Sequence, residues 1–188
     1  MSKFQEVEKK FLVKKDLLPD LSKRKPTIMD QFYIPIELFE VNKEKSFLCC
    51  NSMLIIDLMS DELKALLKAF NSLTEARVRV TVDGAKLTLK SKAKRGVRKE
   101  FEWKVTEAKH LTRLLINATK HLKKERHVIC TSNGNVFEVD KFDNHSFILA
   151  ELEVDSKKEL ENLCLPEWIG EDVTDNENYY NEKLAKLL

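Results

Sequence analysis

Short stretches that alternate polar and apolar residues recur along this chain and predict β-strands. The first, KFQEVEKKFLV at 3–13, places Glu6, Glu8 and Lys10 on one face, because successive side chains of a strand point to opposite faces. Seven further stretches predict strands, at 30–36, 75–82, 86–92, 97–105, 121–129, 136–142 and 148–154. Asp83-Gly84 lies between two of them and predicts a hairpin turn, as expected for antiparallel strands.

Apolar residues at helical spacing occur between some of these strands. They predict helices over 60–70, 106–122, 156–163 and 181–188. Thr106 is the expected N-cap of the second helix, and Leu184, Leu187 and Leu188 are expected to dock the last one. Strands and helices together indicate an α+β protein.

The polar positions of the predicted strands carry mostly charged residues, often as neighbouring pairs of one sign. The aligned bases are Lys10, Arg77, Arg79, Lys90, Lys92, Arg98, Lys124 and Arg126. The aligned acids are Glu6, Glu8, Glu100, Glu102, Glu138, Asp140, Glu151 and Glu153. For any single strand, the wet face of an open sheet explains such residues. A closed barrel would instead gather them into one lumen, where bases bind a polyanion and acids bind divalent cations.

Composition narrows the classes of partner. The 188 residues predict one domain, and 33 basic residues nearly cancel 31 acidic ones, giving a net charge of +2. This balance argues against nucleic-acid and membrane partners, which select a clear excess of Lys and Arg. We find no signal-peptide pattern and expect a cytoplasmic protein with reduced cysteines. The absence of a CxxC pattern argues against zinc.

A family resemblance emerges from the order of the charged motifs. EVEKK at 6–10 resembles the ExExK signature of the CYTH superfamily, the triphosphate tunnel metalloenzymes. The accompanying segments are RxR at 77–79, TLKSK at 88–92, RKEFE at 98–102, KxR at 124–126, FEVDKF at 137–142, ELE at 151–153 and PEWIGEDVTDNENYYN at 166–181. The resemblance covers nearly the whole chain and is closest to short bacterial members similar to inorganic triphosphatases.

The resemblance implies a closed eight-stranded antiparallel β-barrel, or triphosphate tunnel, with a charged lumen and helices packed outside. It implies Mg or Mn ligands at Glu6, Glu8, Glu138, Asp140, Glu151 and Glu153. It implies substrate-binding bases at Lys10, Arg77, Arg79, Lys90, Lys92, Arg98, Lys124 and Arg126. Lys10 and Tyr33 would form a catalytic pair that helps to activate water. Glu100 and Glu102 would be tunnel carboxylates that orient the basic side chains. The alternative, that a carboxylate instead of Lys10 accepts the proton from water, is left open by the sequence.

The implied function is a divalent-metal-dependent phosphohydrolase that cleaves inorganic tripolyphosphate or a related small-molecule triphosphate. The alternatives are a class IV-type adenylate cyclase, which makes cyclic AMP from ATP, and a thiamine or nucleoside triphosphatase. The sequence departs from short relatives by an inserted segment at about 38–72. Formation of a homodimer through this segment is an alternative to a purely structural role. It also has Asn178 where relatives commonly have Arg.

Overall fold

The computed structural model describes residues 4–156, 158–159 and 163–188. In chain order its elements are β1 (Gln5–Val13), β2 (Thr27–Ile34), β3 (Phe39–Asn42), β4 (Phe47–Cys50), β5 (Met53–Asp57), α1 (Ser60–Ala69), β6 (Leu73–Thr81), β7 (Gly84–Ser91), β8 (Val97–Val105), α2 (Ala108–Ile116), β9 (Lys120–Cys130), β10 (Val136–Phe142), β11 (Ile148–Glu153), β12 (Ile169–Asp172), α3 (Asn181–Leu184) and β13 (Lys186–Leu187). Half of the predicted helix over 156–163, namely 157 and 160–162, lies outside the described residues.

Eight of these strands close into one antiparallel barrel, which confirms the predicted fold. Going round the barrel, the order is β1, β8, β7, β6, β2, β9, β10 and β11, and β11 pairs with β1 again. β12 adds to the second half of β1, and β13 adds to β9. The eight predicted strands are therefore the barrel strands.

The apolar faces of the barrel strands point outward and are covered by the remaining elements. On one side, Leu66 of α1 and Leu114 of α2 join a buried cluster with Val78 and Leu87 from the barrel wall. On another side, Trp168 packs edge-on against Phe137 of β10. Burial of these residues leaves the inward faces of the strands free for polar side chains.

The segment 38–72 forms an outer layer of its own. β3, β4 and β5 make a small antiparallel sheet, and α1 follows it. Leu48 and Ile55 of this sheet are buried in the same cluster as Leu66. The segment therefore packs on the outside of the barrel wall, and its status as an insertion stays a prediction.

Two predicted helices are wrong in extent. α2 ends at Ile116, and its N-cap is Glu107 rather than Thr106. The following residues leave the helix because their backbone pairs with β2, where His121 lies opposite Phe32. At the C-terminus, only α3 is helical before β13 begins.

The predicted docking of the last leucines is also only partly right. Leu184 is buried, whereas Leu187 is 80% exposed and Leu188 is 70% exposed, because Leu187 lies on the edge strand β13 and Leu188 follows it. Among the described residues, no helix is long and apolar enough to cross a membrane.

One end of the barrel is filled by apolar side chains. Leu122, Phe142 and Leu149 come from barrel strands, and Val173 and Leu184 come from the C-terminal segment. This segment is held against β1, where the Val173 amide donates to the Lys10 carbonyl at 2.8 Å. The polar part of the lumen therefore lies on the other side of this cluster.

Candidate active site

A cavity of about 320 Å³ lies inside the barrel and is lined mostly by charged side chains. Its lining residues are Glu6, Glu8, Gln31, Arg77, Arg79, Lys90, Arg98, Glu100, Glu102, Arg126, Glu138, Glu151, Glu153 and Asn181. Most lie at alternate positions of their strands, as the alternation in sequence requires. Five predicted site residues do not line the cavity, namely Lys10, Tyr33, Lys92, Lys124 and Asp140.

The position of Glu8 depends on a close backbone approach at Gly96. The Glu8 amide donates to the Gly96 carbonyl at 2.8 Å, just before β8 begins. Gly96 has φ +70°, and a Cβ there would lie 2.2 Å from the Glu8 carbonyl oxygen. Only glycine fits this position, which holds β1 against β8.

Arg98 and Lys90 neutralise the acids of β1. The Arg98 Nη2 donates to Glu8 Oε1 at 2.8 Å and its Nε contacts Glu6, while Lys90 Nζ donates to Glu6 at 3.2 Å. Burial alone would raise the pKa of Glu6, but Lys90 and Arg98 outweigh it and lower that pKa. Burial raises the pKa of Glu8, and nearby Glu6 and Glu151 add to this effect against the attraction of Arg98.

Arg126 gathers the acids on the opposite side of the cavity. Its Nε donates to Asp140 Oδ1 at 2.7 Å and its Nη2 donates to Glu151 Oε2 at 2.6 Å, and Glu138 accepts a further bond. This base therefore ties β9 to β10 and β11 across the lumen.

Lys124 and Asp140 lie behind this layer and not in the cavity. Both side chains have no exposed area, and the Lys124 ammonium contacts the Asp140 carboxylate. Burial and the nearby Arg126 lower the pKa of Lys124 to about 8, against the attraction of Asp140. Their predicted roles as phosphate contact and metal ligand are therefore not supported, because their polar atoms are used to hold Arg126 and each other.

The predicted catalytic pair is not formed. Lys10 Nζ lies 2.9 Å from Glu151 Oε1 and donates to the Tyr179 carbonyl at 3.3 Å, whereas the Tyr33 hydroxyl donates to Gln31 Oε1 at 3.0 Å. Burial opposes charge on Lys10, but Glu151 and Glu8 outweigh it and raise its pKa. Lys10 is thus held as an ammonium ion, which cannot accept a proton from water.

Lys92 lies outside the site. It follows the end of β7, its side chain is 70% exposed, and its Nζ contacts Glu177 at 2.6 Å. The alternation that makes Lys90 a lumen residue no longer applies once the strand has ended. In this arrangement Lys92 does not line the cavity, and its role in phosphate binding stays a prediction.

Glu153 differs from the other lumen acids. Among the described residues no hydrogen bond or ion pair to its carboxylate is found, although it lines the cavity. Partial desolvation and the neighbouring carboxylates of Glu6, Glu100 and Glu8 raise its pKa to about 7. Glu153 is more exposed than its neighbours, so solvent screens part of this repulsion.

The lumen acids fit a divalent cation in chemistry but are not yet arranged around one. The lining carboxylates from the predicted metal set are Glu6, Glu8, Glu138, Glu151 and Glu153. Hard cations such as Mg²⁺ prefer these oxygen ligands. In the part of the chain that the structure describes, no group of three or more His, Cys, Asp or Glu side chains could hold a metal ion. The cause is ion pairing, because Arg98 and Arg126 occupy four of these five acids.

Three residues near the cavity were not predicted. Gln31 and Asn181 line it, and Lys86 contacts Glu102 at 2.6 Å near its mouth. Gln31 lies two positions before Tyr33 and so shares its face, which is the signal that could have found it. Asn181 begins α3, and no pattern in the strands points to it.

The sequence matches no family model and no curated protein significantly, but solved structures resemble the fold. A crystal structure of the hypothetical protein NE1496 has 23% identity and a TM-score of 0.54, over 97% of this chain and 99% of that one. A structure of the inorganic triphosphatase NE1496 has 23% identity and a TM-score of 0.53, over 96% and 93%. These likenesses establish a shared fold over nearly the full length of both chains.

Proposed function

We propose that this protein is a divalent-metal-dependent phosphohydrolase that cleaves a phosphoanhydride bond of inorganic tripolyphosphate or a related triphosphate. The observation that carries the proposal is the lumen, where five bases and seven glutamates face one cavity inside a closed barrel. The likeness to the inorganic triphosphatase NE1496 supports the same class of substrate. Phosphoryl transfer requires positioning and charge neutralisation more than covalent chemistry, and this lumen offers both.

The charge balance of the lumen supports a requirement for metal. With five bases against seven glutamates, the fully ionised lining has a net charge of −2. Lys10 and Lys86, which contact Glu151 and Glu102 but do not line the cavity, offset this charge. The cavity therefore has no net positive charge to attract a triphosphate anion, and the anion meets the repulsion of the lining carboxylates. Cations that accompany the substrate would remove this repulsion, because they bind both the carboxylates and the phosphate oxygens.

The chain's residues then have separate tasks. The lining bases, Arg77, Arg79, Lys90, Arg98 and Arg126, bind phosphate oxygens. The lining carboxylates Glu6, Glu8, Glu138 and Glu151 would hold Mg or Mn, which leaves Glu153 outside the set of metal ligands. When bound, the metal supplies charge neutralisation of the phosphoryl group. Binding of a phosphate by Arg98 and Arg126 would release their carboxylates, so substrate and metal should bind together.

Glu153 is the lumen group most available to accept a proton from the attacking water. Its carboxylate makes no hydrogen bond or ion pair among the described residues, and its pKa of about 7 lies near neutral pH. Glu100 is less suited, because Lys90 Nζ lies 2.5 Å from its carboxylate.

A second cavity supports the cyclase and nucleoside triphosphatase as alternative functions. It has about 490 Å³, shares Arg79 with the lumen, and is lined in part by Met29 and Val105. An organic group attached to a triphosphate in the lumen could occupy this space. Inorganic tripolyphosphate has no such group and would leave it to solvent.

One assay separates these functions. The purified protein is offered tripolyphosphate, ATP or thiamine triphosphate with Mg²⁺, Mn²⁺ or EDTA, and both phosphate and cyclic AMP are measured. We expect metal-dependent phosphate release that is fastest with tripolyphosphate. Cyclic AMP from ATP would establish the cyclase instead, and full activity in EDTA would refute the metal requirement.

A further inference from the structure

Two buried donors in the lumen have no hydrogen-bond partner in the described part of the chain. They are Nε2 of Gln31, a residue that is 1% exposed, and Nε of Arg77, a residue that is 7% exposed. Both residues line the cavity from neighbouring strands, because Gln31 lies opposite Arg79 and Tyr33 lies opposite Arg77. Buried donors are nearly always paired, so two open ones in the same cavity point to a missing acceptor.

The other lining bases are already engaged with carboxylates. Lys90 contacts Glu6 and Glu100, and Arg98 and Arg126 each contact further carboxylates. An oxyanion that binds any of these must compete with a carboxylate. An oxyanion at Gln31 and Arg77 displaces only a weak contact, the 3.4 Å bond from Arg77 Nη2 to Thr88.

Tyr33 fixes the direction of the Gln31 amide. Its hydroxyl donates to Gln31 Oε1 at 3.0 Å, so the amide nitrogen is the end left for the cavity. Tyr33 is 3% exposed and packs in the apolar cluster that fills one end of the barrel. The ring is therefore held by its surroundings, and its hydroxyl can orient the amide without touching the substrate.

We propose that Gln31 Nε2 and Arg77 Nε form a subsite for one phosphoryl group of the substrate, and that Tyr33 is a positioning residue that orients Gln31. This inference rests on the proposed function for the identity of the oxyanion. It gives Tyr33 a task different from the activation of water with Lys10. The pair is suited to a phosphoryl group because the guanidinium donates a charge-assisted hydrogen bond and the amide donates a second, neutral one.

The test uses Gln31→Met, which removes the donor at similar size, and Gln31→Glu, which places an acceptor there. The matched control is Gln5→Met, since Gln5 is exposed and does not line the cavity. Binding of inorganic phosphate with Mg²⁺ is measured by calorimetry, and kcat and KM are measured with tripolyphosphate. We expect Gln31→Met to raise Kd and KM about tenfold or more, with a larger effect for Gln31→Glu and none for Gln5→Met.

A double-mutant cycle tests the role of Tyr33. Tyr33→Phe should raise Kd about threefold in the native background and have no further effect in Gln31→Met. Equal effects in both backgrounds would mean that Tyr33 acts only through packing and would overturn its positioning role. Thermal unfolding of each variant shows whether a loss of binding is merely a loss of fold.

The outcomes separate this inference from the proposed function. If the native protein hydrolyses triphosphates while Gln31→Met and Gln31→Glu leave Kd and KM unchanged, the subsite is refuted and the function stands. If no triphosphate is hydrolysed but phosphate binding depends on Gln31, the subsite stands and the hydrolase is refuted.

Discussion

Replacing Arg98 by Met should make the stability of the protein depend strongly on pH. Arg98 is the base that contacts both Glu6 and Glu8. When Arg98 is lost, Lys90 still contacts Glu6 but does not contact Glu8. Glu8 then has no cation in contact, and only the attraction of Lys10, which is bound to Glu151, opposes its uptake of a proton. The cost of protonating a carboxyl with an ordinary pKa of 4.5 sets the upper limit of the part of the destabilisation that comes from Glu8.

That limit can be worked out at two pH values. At about pH 7.5 it is three pH units, or about 4 kcal/mol, and at about pH 5 it is half a unit, or about 0.7 kcal/mol. The sign follows because a folded-state pKa above the unfolded value favours the folded state only when the proton is present. We therefore expect Arg98→Met to lose about 2–4 kcal/mol at about pH 7.5 and less than about 1 kcal/mol at about pH 5.

Urea unfolding of Arg98→Met and the native protein at both pH values measures these differences. The control is Lys99→Met, because Lys99 is exposed on the outward face of the same strand and should change stability by less than about 0.5 kcal/mol. A loss below about 1 kcal/mol at the higher pH, or an equal loss at both, would refute the assignment of Arg98 as the counterion of Glu8.

Three further predictions concern activity. Glu6→Gln and Glu8→Gln should each lower the rate at limiting Mg²⁺ by about tenfold or more, since each removes a hard oxygen ligand, and unchanged rates in a Mg²⁺ titration would contradict the metal assignment. Lys90→Met should raise KM about tenfold or more, whereas the KM of Lys92→Met should stay within about twofold of the native value, because Lys92 contacts Glu177 outside the lumen. Similar KM values for the two variants would contradict this placement. With a pKa of about 7 for Glu153, kcat/KM should rise with pH through neutrality as its carboxylate ionises, and persistence of this limb in the pH profile of Glu153→Gln would exclude Glu153 as its source.

The alternation of residues was sufficient to predict the barrel strands and most lumen side chains, because a strand's two faces are set by sequence parity alone. It was insufficient where the strand ends, as Lys92 shows. Alternation also does not show how far along the lumen a side chain lies. Lys124 and Asp140 face the lumen like Arg126, yet they lie behind the cavity. Depth depends on the stagger of neighbouring strands, which a single sequence does not reveal.

The predicted helix over 106–122 failed for a related reason. Its apolar spacing continues past Asn117, but the backbone beyond that residue can form ladder bonds with β2, and tertiary pairing overrides local pattern. Gln31 was missed because the search followed charge, and a neutral amide gives no such signal. The partners of Lys10 were likewise beyond reach, since the Tyr179 carbonyl comes from a turn far along the chain.

The closure of the barrel through β1 ties the order of folding to the assembly of the site. β1 pairs with β8 and β11, so its partners lie about 90 and 140 residues further along the chain. The contacts from Glu6 and Glu8 to Arg98, and from Lys10 to Glu151, all cross these two seams. A growing chain therefore carries β1 without its contacts to Arg98 and Glu151 until those residues have been made, and the lumen becomes competent to bind phosphate and metal only when the ring has closed.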